Sequence, residues 1–357
     1  MLWQAPLALA LDLWLGDPKS LPHPVQGIGL VASALEKPAR KAKNPRMAGV
    51  AALFFLLCLT GGIVACLTSL GSGLGVLCSL YFCWAGLALG GLVREGRIAL
   101  AAVEEAEKDP ARLPGARQAV QMLVSRDTKD MDPAELYRSV AESVSENFND
   151  AFVAPWFWLC LGGPVGLWLY KTASTMDSLW GYKNERFERL GWASARLDDL
   201  LAFVPARLSV LFMLLTAFFE RLPWKEGPAA VLEAARIRRP EGPARYEPHM
   251  ADDAGRGPAA GTHLTGWPGW RIVAGQARKS SSPNAGWPMT AAAWLFHGRS
   301  GGVTPYEGVY VAKPLMGPHE GCWNADNTEA LISHVRLAGV TGAALMLAAA
   351  ALATAVF

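Results

Sequence analysis

Long apolar runs alternate with charged stretches along the chain, and their lengths set its organisation, because a helix needs roughly 20 residues to cross about 30 Å of hydrocarbon. The runs 47–70 and 74–93 carry almost no charge and are separated only by Gly71, Ser72 and Gly73, which predicts a transmembrane helical hairpin. Lys37, Arg40, Lys41, Lys43 and Arg46 precede the hairpin and Arg94 and Arg97 follow it, so the positive-inside rule places both ends in the cytoplasm. Another span is expected at 337–357. The runs 151–170 and 200–219 are interrupted, the first by Gly162, Gly163 and Pro164 and the second by Pro205 and Arg207. Each fits either a full crossing or a dip. Irregular backbone at membrane depth survives only where protein or a wet cavity shields it, so the Gly-Gly-Pro break marks either a site near the interface or a plain kink.

Between the hairpin and Ala151 the chain is polar and helical in pattern, with a break around Asp109, Pro110 and Pro114. Asp132 suits an N-cap, Pro133 the first helical position and Glu135 the acid of a capping box, so a helix starts at Pro133. Four-residue spacing then puts Leu136, Val140, Val144 and Phe148 on one stripe and Glu142, Glu146 and Asp150 on another. An acidic stripe is more often a solvated face than a site. This one leads directly into an apolar run, where an ionisable residue is costly.

Composition agrees with a membrane setting. Of the 357 residues 52% are hydrophobic and 18% charged, and the mean hydropathy is +0.19. The formal charge of +2 provides no broad basic field, which argues against a nucleic-acid partner. Of the 6 cysteines only Cys322 lies outside an apolar stretch, and no disulfide framework or zinc spacing follows. The apolar start, 2–15, has no basic leader, is interrupted by Asp12 and reads as retained. The 14 tryptophans suit membrane interfaces and are assigned no ligand. No sheet periodicity stands out. The expected fold is mainly α, a polytopic integral membrane protein with about four to six membrane segments and cytoplasmic helices and loops. Its divisions are an N-terminal segment (1–46), the hairpin (47–93), a polar helical segment (94–150), a membrane-associated core (151–223), an insertion (224–270), a C-terminal motif region (271–336) and a last helix (337–357).

Several ordered blocks of residues carry a resemblance. They begin with Gly16-Asp17-Pro18, Pro22-His23-Pro24 and Ser125-Arg126-Asp127, and continue through Glu142-Ser-Val-Ser-Glu146-Asn147-Phe-Asn-Asp150 to Ala154-Pro155. Tyr170-Lys171, Asp177-Ser178, Gly181-Tyr182-Lys183, Ser194-Ala195-Arg196-Leu197-Asp198-Asp199 and Pro205-Ala206-Arg207 follow. Arg278-Lys279 and Ser282-Pro283-Asn284-Ala285-Gly286-Trp287 complete the set. In order and spacing these blocks are similar to the signatures of the adenosylcobinamide-phosphate synthase family of cobalamin biosynthesis. The chain departs from that pattern at Ser174-Thr175, near Ser281, where the family has a histidine, and in 301–306.

The resemblance implies ligation of aminopropanol or aminopropanol phosphate to the free propionate of adenosylcobyric acid, with ATP and Mg²⁺ as cofactors. It implies a multi-pass protein of the cell membrane, in contact with the lipid bilayer and associated with other corrinoid-pathway membrane proteins, with its site on the cytoplasmic side. Glu142, Glu146, Asn147, Asp150, Lys183 and Asp198 are then the catalytic candidates, and Glu146 and Asp150 the Mg²⁺ ligands. Asp17, His23, Lys171, Asp177, Arg196, Asp199, Arg207, Ser282 and Asn284 are the substrate-binding candidates. His23, between two prolines, also fits a rigid loop residue. The small residues of 280–286 are expected to aim amides and hydroxyls at a phosphate, with charge from Arg278 and Lys279. Neither G-x-x-x-x-G-K-[ST] nor G-x-G-x-x-G occurs, so a nucleotide would need another holder. The rival reading is a membrane transporter of a corrinoid or related metabolite, since broken apolar helices also build transport sites. No internal repeat supports it.

Overall fold

The computed structural model describes residues 3–16, 23–71, 73–182, 184–221, 267–306 and 309–356. Asp17, Lys183 and nearly all of the 224–270 insertion lie outside them. The chain is mainly α. Its helices are α1 (Gln4–Leu15), α2 (Pro24–Lys41), α3 (Pro45–Thr68), α4 (Gly73–Ala85), α5 (Leu89–Lys108), α6 (Leu113–Gln121), α7 (Pro133–Asn147), α8 (Ala154–Trp180), α9 (Trp192–Leu201), α10 (Phe203–Arg221), α11 (Trp270–Ala277), α12 (Gly286–Leu295) and α13 (Ala325–Val356). A π-helical turn, Phe148–Val153, joins α7 to α8. Five helical stretches are long and apolar enough to cross a membrane: Pro45–Thr68, Gly73–Lys108, Pro133–Trp180, Trp192–Glu220 and Ala325–Ala353. The molecule is a multi-pass membrane protein.

The second arm of the expected hairpin is not one helix. It breaks after Ala85 and restarts at Leu89, and the new N-terminus is capped from a distance: Asp12 Oδ2 of α1 accepts the amides of Leu89 and Gly90 at 2.9 and 3.0 Å. These amides belong to the first turn of α5 and have no partner within the helix. A negative charge there is further favoured by the helix dipole. Gly90 allows the approach, because a Cβ on it would lie 2.0 Å from the Asp12 carbonyl oxygen. The charge that interrupts the first apolar run is therefore a fixed element of the packing.

The 151–170 run doubles back. Gly163 has φ 61° and ψ −157°, outside the helical region, within α8. A Cβ on Gly166 would lie 2.6 Å from the carbonyl oxygen of Trp158, whereas residues eight apart on a straight helix are separated by about 12 Å. Tyr170, Ala154 and Ala202 share one buried cluster, which a straight helix would also forbid. The 151–170 run is therefore not one straight helix, and the Gly-Gly-Pro break is the point where the chain turns back.

The last helix starts at Ala325, well before the expected boundary at 337, because Arg97 of α5 pairs with Glu329 at 2.7 Å and the buried His334 contacts Glu220 and the Met213 carbonyl of α10. A two-stranded antiparallel sheet, β1 (Ser300–Tyr306) and β2 (Val309–Met316), was not anticipated; its Gly-Gly start and internal prolines hide the alternation.

Two outcomes test this architecture. Asp12→Ala should lower stability by about 1–2 kcal/mol in detergent thermal unfolding, as loss of an N-cap does, and Asp12→Asn should cost less. Single cysteines at the exposed Ser178 and Ser281 should both react with an impermeant maleimide from the same membrane side; labelling from opposite sides would overturn the reversal at Gly163.

Candidate active site

α7 is held at its start by the expected capping box, with Glu135 N donating to Asp132 Oδ1 at 2.8 Å and Asp132 N to Glu135 Oε2 at 3.1 Å. Its apolar stripe, Leu136, Val140, Val144 and Phe148, is fully buried. The opposite stripe is not a solvated face. Glu142 is 2% exposed, Ser139, Ser143 and Ser145 are buried, and Glu146 and Asp150 are half-buried.

Glu142 is clamped from two sides. Arg126 Nη1 lies 2.6 Å from its Oε2, and the Gly301 amide donates to its Oε1 at 2.7 Å. Gly301 and Gly302 have φ of +88° and +89°, conformations that L side chains rarely adopt. The pair of glycines thereby bends the start of β1 onto α7. Lys313 of β2 pairs in register with Gly302 and lies within electrostatic reach of Glu146, as do Arg126 and Glu142.

One turn on, the π-helical segment carries Asp150, which accepts a hydrogen bond from Asn149 Nδ2 at 2.7 Å. The return of α8 brings Lys171 and Asp177 within electrostatic reach of Asp150; a continuous helix would hold Asp150 and Asp177 about 40 Å apart. α9 adds Asp198, which faces Asp150, Asp177 and Asp199. Three chain segments thus bring Glu142, Glu146, Asp150, Asp177, Asp198 and Asp199 to one place, with Arg126, Lys171 and Lys313 as the facing cations.

Such a cluster is costly, since like charges out of water repel strongly and each loses hydration. It is suited to holding cations. Asp198 Oδ1 is buried and has no hydrogen-bond partner among the described residues. Oxygen donors of this kind suit a hard divalent ion such as Mg²⁺, which takes one or two carboxylates and completes its shell with water and substrate phosphates. Among the described residues no three His, Cys, Asp or Glu side chains form a complete metal-binding group.

Other candidates have local partners. Asn147 Nδ2 donates to the Ser143 carbonyl at 3.0 Å. His23 caps α2 through Nδ1, which accepts the Val25 amide at 3.3 Å, as a rigid loop residue would. Arg196 is exposed on α9. Asn284 is a latch: its Nδ2 donates to the Asp199 carbonyl and its Oδ1 accepts from Arg207 Nη1, both at 2.8 Å. Arg207 also stacks on Phe203 and Trp287, at 3.7 and 4.6 Å. In the 280–286 loop two of the amides are used within the turn. Asn284 N and Ala285 N both donate to Ser282 Oγ at 3.3 Å, which closes the turn on itself. Through Asn284 this loop borders the acidic cluster without entering it.

Lys313 was missed from the sequence because its strand was missed. Arg126 was noted only within a motif, and its buried partnership with Glu142 spans segments that no local spacing connects.

The family described as CobD/Cbib protein matches residues 5–355. The chain belongs to this family. A cobalamin biosynthesis protein CobD of Geobacter metallireducens is 35% identical over 316 residues, covering 87% of this chain and 84% of that one. One of Halalkalibacterium halodurans is 32% identical with the same coverage. One of Pelobacter propionicus reaches 44% over 220 residues, which span 59% of this chain and 65% of the relative. No solved structure matches. The acidic cluster of this CobD/Cbib chain is drawn almost wholly from the ordered blocks that first suggested a family.

Arg126→Ala would leave Glu142 buried without its cation, held only by the Gly301 amide. It should destabilise the protein by about 3–5 kcal/mol, read as an unfolding shift in detergent, whereas Lys129→Ala, removing an exposed charge from the same loop, should shift it by less than about 0.5 kcal/mol.

Proposed function

We propose that the chain acts in cobalamin biosynthesis as an acid-amine ligase, joining aminopropanol or its phosphate to the free propionate of adenosylcobyric acid at the expense of ATP. The observation that carries this reading is the meeting of Asp150, Asp177 and Asp198 with Lys171, next to Glu146 and its facing Lys313, beside a helix that turns back at Gly163. Membership of the CobD/Cbib family and the cobalamin-biosynthesis names of its relatives support it.

An unactivated carboxylate is a poor acyl donor, because its leaving group would be oxide. Ligation transfers the γ-phosphoryl group of ATP to the propionate oxygen, and the amine then displaces phosphate to form the amide. Glu146 and Asp150, with Asp198 beside them, would hold Mg²⁺, which when bound supplies positive charge to phosphate oxygens. Lys171 and Lys313 would face the anionic carboxylate and phosphate groups and orient them. One of the half-buried carboxylates takes the proton that the substrate ammonium must lose before its nitrogen can attack. Arg126 and Glu142 act at one remove by fixing β1 and β2, and with them Lys313, against α7. The cytoplasm is the side where ATP is available, and the basic flanks of the first hairpin agree with a cytoplasmic site.

The detergent-purified protein, given adenosylcobyric acid, aminopropanol phosphate, Mg²⁺ and ATP, should yield the amide by mass spectrometry with one ADP per product. Glu146→Gln should lower kcat at least 10²-fold, the scale of a lost acid–base group, while leaving expression and unfolding temperature unchanged. Corrinoid uptake into vesicles without amide formation would favour the transporter instead.

A further inference from the structure

A groove of about 410 Å³ lies on another face of the molecule, between α1, α5 and α13, where Leu13, Val93 and Ile98 form an apolar wall beside Arg94, Arg97 and Arg336. None of these residues belongs to the acidic cluster. α5 and α13 run antiparallel here, since a Cβ on Gly339 would meet Leu89 and one on Gly96 would meet Ile332. That register puts Arg94 and Arg336 at one level.

The level is that of a membrane boundary. Arg94 follows the apolar run that ends at Val93, and Arg336 precedes the run that begins at Leu337. Trp14, 77% exposed at the end of α1, belongs at the same height and is a residue type that membrane interfaces favour.

The guanidinium groups are built in. Arg94 Nη1 donates to the Leu15 carbonyl at 3.3 Å, and its guanidinium covers Gly16, where a Cβ would come within 3.1–3.3 Å of it. Arg97 is held by Glu329, through Nε at 3.0 Å and Nη2 at 2.7 Å, and by Ser333 Oγ at 2.9 Å. Arg336 is exposed and has no hydrogen-bond or ion-pair partner among the described residues. Glu329 offsets one of the three arginines, so the groove keeps a surplus of positive charge.

We propose that this groove binds the phosphodiester headgroup of an anionic phospholipid, with the acyl chains lying along Leu13 and Val93 on the membrane side of the arginines. Charge above and apolar surface below, at the height where a bilayer carries its phosphates, fit a lipid and not a fully hydrated anion. A planar guanidinium meets phosphate oxygens in a fork geometry that an ammonium does not reproduce. The bound lipid would fasten α1 and α5 to α13 on the membrane side.

The test is native mass spectrometry of the detergent-purified full chain titrated with phosphatidylglycerol or phosphatidylcholine. Phosphatidylglycerol should bind the wild type, and Arg336→Gln, which removes no protein contact seen here, should weaken it about fivefold, the scale of one interfacial arginine. Phosphatidylcholine binding should not distinguish the two proteins. Equal phosphatidylglycerol affinity for wild type and R336Q would overturn the proposal. So would an equal loss in Lys129→Gln, which would reduce the effect to net charge, or displacement of the lipid by an equimolar amount of inorganic phosphate, which would make the groove a free-anion site.

Discussion

Backbone amides and carbonyls find no water inside hydrocarbon, so a chain can break helical geometry there only where other protein encloses the break. The reversal at Gly163 meets this constraint on one side only. Pro164 is buried, the turn lies beside Ala5 of the first helix, and the returning arm packs along α3, where Leu169 approaches Gly61, while Leu161 and Gly162 stay exposed. On a straight segment Asp177 would lie far from Asp150. The acidic cluster is a product of one turn of backbone.

Concentrating carboxylates in this way runs against the ordinary preference for hydration, and two kinds of interaction offset it. Arg126 neutralises Glu142 in a buried pair whose second carboxylate oxygen is taken by the Gly301 amide. Lys171 and Lys313 face the remaining acids without enclosing them, so Glu146, Asp150, Asp177 and Asp198 stay half-buried. Charge that is fully compensated holds the scaffold, and charge that is partly compensated stays in reach of solvent. The latch from Asn284 to Asp199 and Arg207 completes the rim.

Much of this was legible in the sequence. The capping box at Asp132 and Glu135, the buried stripe from Leu136 to Phe148 and the long apolar helices follow from local spacing, which side-chain chemistry and helical periodicity determine. The acidic wall was legible as a stripe, yet its burial was not, because nothing local says what will cover a helix face. The hairpin of β1 and β2 escaped notice because two short strands opening on Gly301-Gly302 leave almost no alternation to read. The break between α4 and α5 depends on Asp12, more than 70 residues away, and no window of the chain contains both partners.

That last separation has a consequence for how the protein is made. Asp12 precedes its partners by 77 and 78 residues, so when the first helix leaves the ribosome the amides that satisfy its carboxylate have not been synthesised. Until Gly90 has emerged, the Asp12 carboxylate lacks these two amides, which leaves its burial among apolar neighbours less favourable. The N-terminal helix is therefore first in the chain and late in assembly, and its docking waits on the completion of the hairpin that follows it.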